Sequence, residues 1–453
     1  MEIKDLQGKF VAVLGYGLEG RAVARYLIKY GIKPVLFDQK PFEKWEKADQ
    51  EEIKSLGINF IFGPDAFTEL KGFDVAFRSP GIRLSDVRCQ MSNVAVITSQ
   101  TKWFFEHCPA KIIGVTGTKG KGTTSSLIYE MLKESEVFLT GNIGKEQPLD
   151  FLDKLTKDYW VIYELSSFQL QDLTKSPHIG VVLMVTQEHL DYHIDENDYR
   201  TAKEAITKYQ TERDFAIINE DYKPSVQIGR LGLGRKLYFS KKSQTGVGCF
   251  IKNGEIMIAD SDFRLPVSGL QLKGEHNWEN VCAAVLAAQC AGADTDSIKR
   301  AARHFKGLEH RLELAAEKNA IKFYNDSFST TPETAIAGIK SFSQPLIIIL
   351  GGSSKHADFT ELARTISEAK NIKALIIIGE ETDKIRASLA QEKKFNGTLL
   401  TGAKNMRDIF WQIKFTAKPG DVVLLSPACA SFDMFKNYKD RGEQFKIFAE
   451  NFK

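Results

Sequence analysis

Ile112-Ile113-Gly114-Val115-Thr116-Gly117-Thr118-Lys119-Gly120-Lys121-Gly122-Thr123-Thr124 is the stretch that decides the fold. Its first part, Ile112–Val115, is a short apolar run of the kind that forms a buried strand. A helical pattern follows near Ser125–Leu132. Between them lies a loop of Gly, Lys and Thr. Gly117, Gly120 and Gly122 let backbone N–H groups turn toward a phosphate, with Thr118 and Lys119 completing the cradle. Lys121 reaches a transferring phosphoryl group, and a hydroxyl from Thr123 or Thr124 suits Mg²⁺. The loop departs from the strict phosphate-loop pattern, because Val115 stands where the first glycine falls and Gly122 directly follows the lysine. Strand, loop and helix in this order predict a nucleoside-triphosphate site within a parallel α/β sheet.

Working outward, Trp160–Glu164 is a second strand, and Glu164 at its end is placed as a Mg²⁺ contact. The plainer alternative for Glu164 is a helix-capping glutamate before Leu165-Ser166-Ser167-Phe168-Gln169. Upstream, a strand at Phe10–Leu14, a helical pattern at Ala22–Tyr30 and a strand at Pro34–Phe37 make one βαβ unit. Its turn, Gly15-Tyr16-Gly17-Leu18-Glu19-Gly20, matches G-x-G-x-x-G, and Asp38 ends the next strand. Alone, that unit reads as a dinucleotide site or as helix–strand packing. Further strands are expected at Ile58–Phe62, Val75–Phe77 (before the loop Ser79-Pro80-Gly81), Val181–Val185 and Phe215–Asn219. After Phe305-Lys306-Gly307 come Lys322–Tyr324, Leu346–Leu350, Ala374–Ile378 and Val422–Leu425. The expected architecture is α/β in three domains: a Rossmann-like domain at 1–100, a central P-loop-type ATPase domain with a mainly parallel sheet at 101–307, and a C-terminal Rossmann-like domain at 308–453.

With 453 residues, the chain is long enough for about three domains. It carries 61 basic and 58 acidic residues, a net charge of +3, and 43% hydrophobic residues. Such a balance excludes a nucleic-acid coat or a polybasic membrane binder. No apolar run approaches the ~20 residues of a membrane helix, and the first residues lack a signal-peptide layout. Six scattered cysteines fit reduced cytoplasmic thiols. Cys429 reads as structural. His189 and His193 lie four residues apart but lack the third ligand and carboxylate base of a zinc site.

Several motifs in order carry a resemblance: Gly117–Lys121, Glu164–Gln169, His189-Leu190-Asp191, Tyr199-Arg200-Thr201-Ala202-Lys203, Gly274-Glu275-His276-Asn277 with Asn280, Gly307-Leu308-Glu309-His310-Arg311 and Asn325-Asp326-Ser327. Over essentially the whole chain the sequence resembles the Mur ligase family, the ATP-dependent amide-forming ligases of peptidoglycan precursor synthesis. Two further stretches, the N-terminal glycine unit and Leu425–Asp433 with Phe435–Tyr438 and Arg441-Gly442, resemble the branch that adds D-glutamate to UDP-N-acetylmuramoyl-L-alanine.

The resemblance implies ATP, two Mg²⁺ ions and an acyl-phosphate intermediate. It reassigns the first glycine turn to a UDP-sugar, with Gly17, Leu18, Asp38, Gln39, Ser79, Gly81, Asn142 and His189 on that substrate. Asn277, Asn280, Arg311 and Asp326 join the phosphate loop on the nucleotide. Thr330, Lys355, Ser431 and Tyr438 hold the amino acid. Lys121, His189 and Lys203 are the catalytic set, and Thr123, Glu164, His189 and Lys203 as a carbamate serve the metals. Three departures stand out: Gly122 where Ser or Thr is usual, Phe328 where the branch has lysine, and Tyr438 for phenylalanine. The alternatives are the same ligase with L-glutamate or another amino acid, a folylpolyglutamate synthase-like ligase, an NAD-dependent oxidoreductase and a non-catalytic nucleotide-binding regulator. A cytoplasmic monomer with no nucleic-acid partner and no membrane insertion is expected.

Overall fold

The computed structural model describes residues 1–70, 72–83, 96–144, 146–186, 195–242, 244–272, 274–353, 357–392 and 395–453. It divides into two compact units, Met1–Leu270 with Glu275–Phe305, and Gln271–Gly274 with Lys306–Lys453.

The first unit holds two sheets. The N-terminal sheet is wholly parallel, in the order Phe60–Phe62, Val35–Asp38, Val11–Leu14, Val75–Arg78, Val96–Thr98. Chain order therefore reverses beside Val11–Leu14, and the crevice at such a reversal is where doubly wound sheets bind ligands. The helix after this strand runs Leu18–Lys29, a turn earlier than the apolar pattern suggests, because Gly17 caps it directly. The second sheet has nine strands. Its parallel part runs Val137–Gly141, Trp160–Glu164, Lys111–Thr116, Ile179–Val182, Phe215–Asn219, Arg235–Ser240, Gly248–Lys252. Glu255–Ile258 and Arg264–Pro266 extend it antiparallel. The expected strand Val181–Val185 is shifted to Ile179–Val182; Leu183 and Val185 stay buried beyond the last paired residue.

One helix, Gln100–His107, joins the two sheets. Trp103 meets Phe77 of the first sheet at 5.4 Å, while Phe104 and Phe105 meet Tyr163 of the second at 5.8 and 5.9 Å. All three helix aromatics are buried in one core that spans both sheets.

The second unit has one six-stranded sheet: Glu313–Lys318, Ile321–Asn325, Val422–Leu425, Leu346–Gly351, Ile372–Ile378, Thr398–Leu400, parallel except for the first pair. Leu346, Ile348 and Leu350 enter the core on one face, and Ile347 and Ile349 the core on the other. Burial on both faces is why these strands read as unbroken apolar runs.

Candidate active site

In the first glycine turn, a Cβ on Gly20 would sit 1.9 Å from the Gly15 carbonyl oxygen, so the helix can start this close to the strand only without a side chain. Gly17 differs. A Cβ there would meet nothing within 4 Å, and the next residue, Leu18, is 75% exposed. No described residue requires Gly17 to lack a side chain, and among the described residues the space beside it is open. Asp38 holds the turn in place: its carboxylate accepts from Tyr16 N at 2.7 Å and Lys40 N at 2.8 Å. Ser79 Oγ donates to the Gly15 carbonyl at 3.0 Å, so the Ser79–Gly81 loop closes the other side. Gln39, Gly81 and Asn142 are exposed.

Arg78 sets that loop. It is 1% exposed and donates to Ile82 O at 2.6 Å and to Asp172 Oδ2 at 2.9 Å. Glu19 makes a second link, accepting from Gln169 Nε2 at 2.7 Å, with its Oε2 buried. Burial pushes the Glu19 carboxyl up to about 7. Sequence reasoning missed both residues, although Gln169 lies in a motif it had singled out.

The phosphate loop leaves strand Lys111–Thr116 at the point where neighbours Trp160–Glu164 and Ile179–Val182 diverge in chain order. Gly120 adopts φ +88°, and a Cβ there would lie 2.2 Å from Asn280 Oδ1. That close approach brings Asn280, bonded to Asn277 at 3.3 Å, against the loop. Thr118 Oγ1 donates to Thr186 O at 2.9 Å and accepts from Thr186 N at 3.0 Å, fixing the loop to the next strand. Lys121 opens the helix Lys121–Met131 and folds its amine onto the carbonyls of Gly117 and Thr118 at 3.0 and 3.1 Å. Gly122, Thr123 and Thr124 are buried in the first turn.

Among the described residues, Glu164 Oε2, at the end of its strand, and Thr124 Oγ1, in the first turn of the helix, are buried without a hydrogen-bond partner. Lys203 is 1% exposed, with its amine 3.5 Å from both Thr116 Oγ1 and Gly117 O and 4.5 Å from the Tyr199 ring centroid. A solvated helix lysine is thereby ruled out. Lys119 lies in the loop. His189, with Leu190, Asp191 and His193, and Lys355 lie outside the described residues. Among the described residues no group of three His, Cys, Asp or Glu side chains gathers to hold a metal.

In the second unit, Asp326 is a buried hub. It accepts from Ser329 Oγ at 2.6 Å, Ser426 Oγ at 2.7 Å and Leu312 N at 3.1 Å. Burial raises its carboxyl to about 6 despite these donors. Around it, three residues other than glycine take left-handed backbone: His310 (φ 63°), Leu312 (φ 44°) and Ala428 (φ 61°). Arg311 lies between the first two. Arg441, wholly buried, donates to Ser327 Oγ and O at 2.9 Å and to the Cys429 and Ala430 carbonyls at 3.3 Å. Desolvation lowers it to about 10. It thus fixes the turn that carries Ser431, and Cys429, 3% exposed, is part of that turn's packing. Thr330 and Tyr438 are partly exposed on the same unit.

A glycine-bordered loop at a sheet reversal, with Glu164 and Thr124 buried beside it, is the setting in which α/β enzymes bind nucleotides. The chain belongs to the Mur ligase family: residues 115–288 match the Mur ligase middle domain, and residues 310–429 match the Mur ligase glutamate ligase domain. Its relatives include the UDP-N-acetylmuramoylalanine–D-glutamate ligase of Acetivibrio thermocellus, 37% identical across 98% of this chain and 96% of that protein. The ligase of the same name from Clostridium perfringens is 34% identical across 99% and 98%. In fold the chain is similar to UDP-N-acetylmuramate-alanine ligase MurC from Thermotoga maritima (TM-score 0.62, 17% identity, covering 98% of this chain and 100% of that one). It is similar too to the MurF ligase from Thermotoga maritima solved with ADP (TM-score 0.59, 18% identity, 98% and 96% covered).

Proposed function

We propose that this chain is an ATP-dependent ligase that joins D-glutamate to UDP-N-acetylmuramoyl-L-alanine in peptidoglycan precursor synthesis. The observation that carries the reading is 37% identity over 98% of the chain to a ligase of that name. The phosphate loop supports its ATP half. A carboxylate is a poor electrophile, so the γ-phosphoryl group of ATP passes to the alanine carboxylate to give an acyl phosphate. The glutamate amine attacks that carbonyl, and phosphate leaves as the amide forms. Loose phosphoryl transfer is governed by positioning and charge neutralisation. Lys121, set at the helix N-terminus, supplies positive charge there, and Gly117 to Thr124 hold the phosphates with Asn277, Asn280, Arg311 and Asp326 on the nucleotide.

Magnesium fits the donor set. Glu164 Oε2 and Thr124 Oγ1 are hard oxygen donors, buried and without partners among the described residues, and an Mg²⁺ site with few protein ligands completes its shell with phosphate and water. Glu164 and a loop threonine (Thr123 or Thr124) would hold one ion; His189 and carbamylated Lys203 would serve a second. When bound, the ions would neutralise phosphate charge. Lys203, buried with its amine against Thr116 and Gly117, stands at the loop where such a carbamate would serve the second ion.

The UDP-sugar would bind along Gly17, Leu18, Asp38, Gln39, Ser79 and Gly81, where the open space beside Gly17 lies, with Asn142 and His189 toward its acyl end. Thr330, Lys355, Ser431 and Tyr438 would hold glutamate. We assign residues 1–100 to the UDP-sugar, 101–307 to ATP and 308–453 to the amino acid, in a cytoplasmic monomer. No helix among the described residues is long and apolar enough to cross a membrane.

The test is phosphate release from purified protein with UDP-N-acetylmuramoyl-L-alanine, ATP and Mg²⁺. Release that depends on D-glutamate is expected. Release with L-glutamate alone would change the stereochemistry assigned, and no release with either would overturn the reading.

A further inference from the structure

Phe328 is 43% exposed, yet its ring is built into a row. The Arg311 guanidinium carbon lies over the ring, 4.6 Å from its centroid. The Tyr438 ring is near-perpendicular to that of Phe328 at 5.2 Å, and the His310 ring meets Tyr438 at 6.0 Å. The row is anchored at depth, because His310 Nδ1 bonds Asn325 Nδ2 at 2.9 Å. The backbone ties it at the front, where Phe328 N donates to His310 O at 2.9 Å. Left-handed His310 and Leu312 bracket Arg311, so its side chain leaves the backbone along a constrained direction. A planar guanidinium facing an aromatic plate loses much of the rotamer freedom of a long side chain while its N–H edge stays in the plane.

We propose that Phe328 is a positioning residue that presents the Arg311 guanidinium to the nucleotide phosphates. The proposal rests on the nucleotide role assigned to Arg311 above. It makes the aromatic side chain at 328, rather than a second charge there, the device that organises this part of the second unit.

The experiment uses the full chain and the variants Phe328→Leu and Phe328→Tyr. Each is labelled at arginine for NMR and assayed over ranges of ATP and D-glutamate. In the wild type the Arg311 Hε resonance is expected upfield of a solvated arginine, through the ring current. Leucine should abolish that displacement and raise KM for ATP about three- to tenfold, the scale of a cation–π contact. kcat should change less, and KM for glutamate should hold. Tyrosine should restore both resonance and KM. An Arg311 resonance unaffected by leucine, or an unchanged KM for ATP, overturns the proposal. A wild type that shows the ring-current displacement but no turnover would sink the ligase reading while leaving the Arg311–Phe328 geometry standing.

Discussion

Lys121 and Lys203 are both lysines at the phosphate loop, but their surroundings ask different things of them. Lys121 bonds loop carbonyls with its amine at the start of a helix, so Lys121→Ala should cut kcat/KM about a thousandfold, or roughly 4 kcal/mol. Its melting temperature should stay near the wild-type value, which a thermal scan would show. Lys203→Ala should also lose activity, and a short added carboxylate should restore part of it if a carbamate is the working form. Full activity in that variant would remove the carbamate from the mechanism. Glu19 gives a pH signature. Its folded carboxyl is raised from 4.5 to about 7, so between those values the native state binds more protons than the unfolded chain. Stability should therefore fall as pH rises through that window, by up to about 3 kcal/mol from this group. Glu19→Gln should flatten the fall, as measured by urea titrations at pH 5 and pH 8. The glycine turns were legible because the close approaches that require Gly20 and Gly120 follow from a strand–loop–helix pattern that is local in sequence. Arg78, Glu19 and Arg441 were not, since their partners lie 94, 150 and 114 residues away.

Single elements were readable where burial is uniform. Strands such as Trp160–Glu164, Phe215–Asn219 and Val422–Leu425 have the bounds expected of them, because continuous apolar runs flanked by turns have few other solutions. The antiparallel extension Glu255–Pro266 went unread: Glu255-Ile256-Met257-Ile258 is short, and its pairing depends on neighbours rather than on its own pattern. Helix Gln100–His107 is the element whose role was least visible. Its mean pattern is unremarkable, but Trp103, Phe104 and Phe105 are almost wholly buried between two sheets. Trp103→Ala should cost about 3–5 kcal/mol. Because one core spans both sheets, the loss should appear as a single earlier unfolding transition followed by both near-UV CD and tryptophan fluorescence.

For the whole molecule, two compact units separate at Phe305 and Lys306, and within the first unit one core draws on residues on both sides of position 100. A chain of residues 306–453 should fold alone, with a cooperative melt by circular dichroism, since its sheet is covered on both faces by its own helices. A chain of residues 1–99 should not, because Trp103 and its neighbours would be missing from the floor of its core. Recovery of a cooperatively folded 1–99 fragment would show that the N-terminal sheet is autonomous. Sequence alone counted three domains, from chain length and βα patterns. Which sheets share a core depends on side-chain volumes meeting across the chain, and no local pattern reports that.

The left-handed backbone at Ala428 has an engineering consequence. An alanine held there costs about 1–2 kcal/mol that a glycine would not, and the turn in question carries the serine assigned to the incoming amino acid. Ala428→Gly is then a route to a more heat-resistant protein, and the same change loosens the turn proposed above to hold the incoming amino acid. Heat tolerance and turnover should move in opposite directions at this position, so a selection for thermostability alone would drift toward a slower ligase.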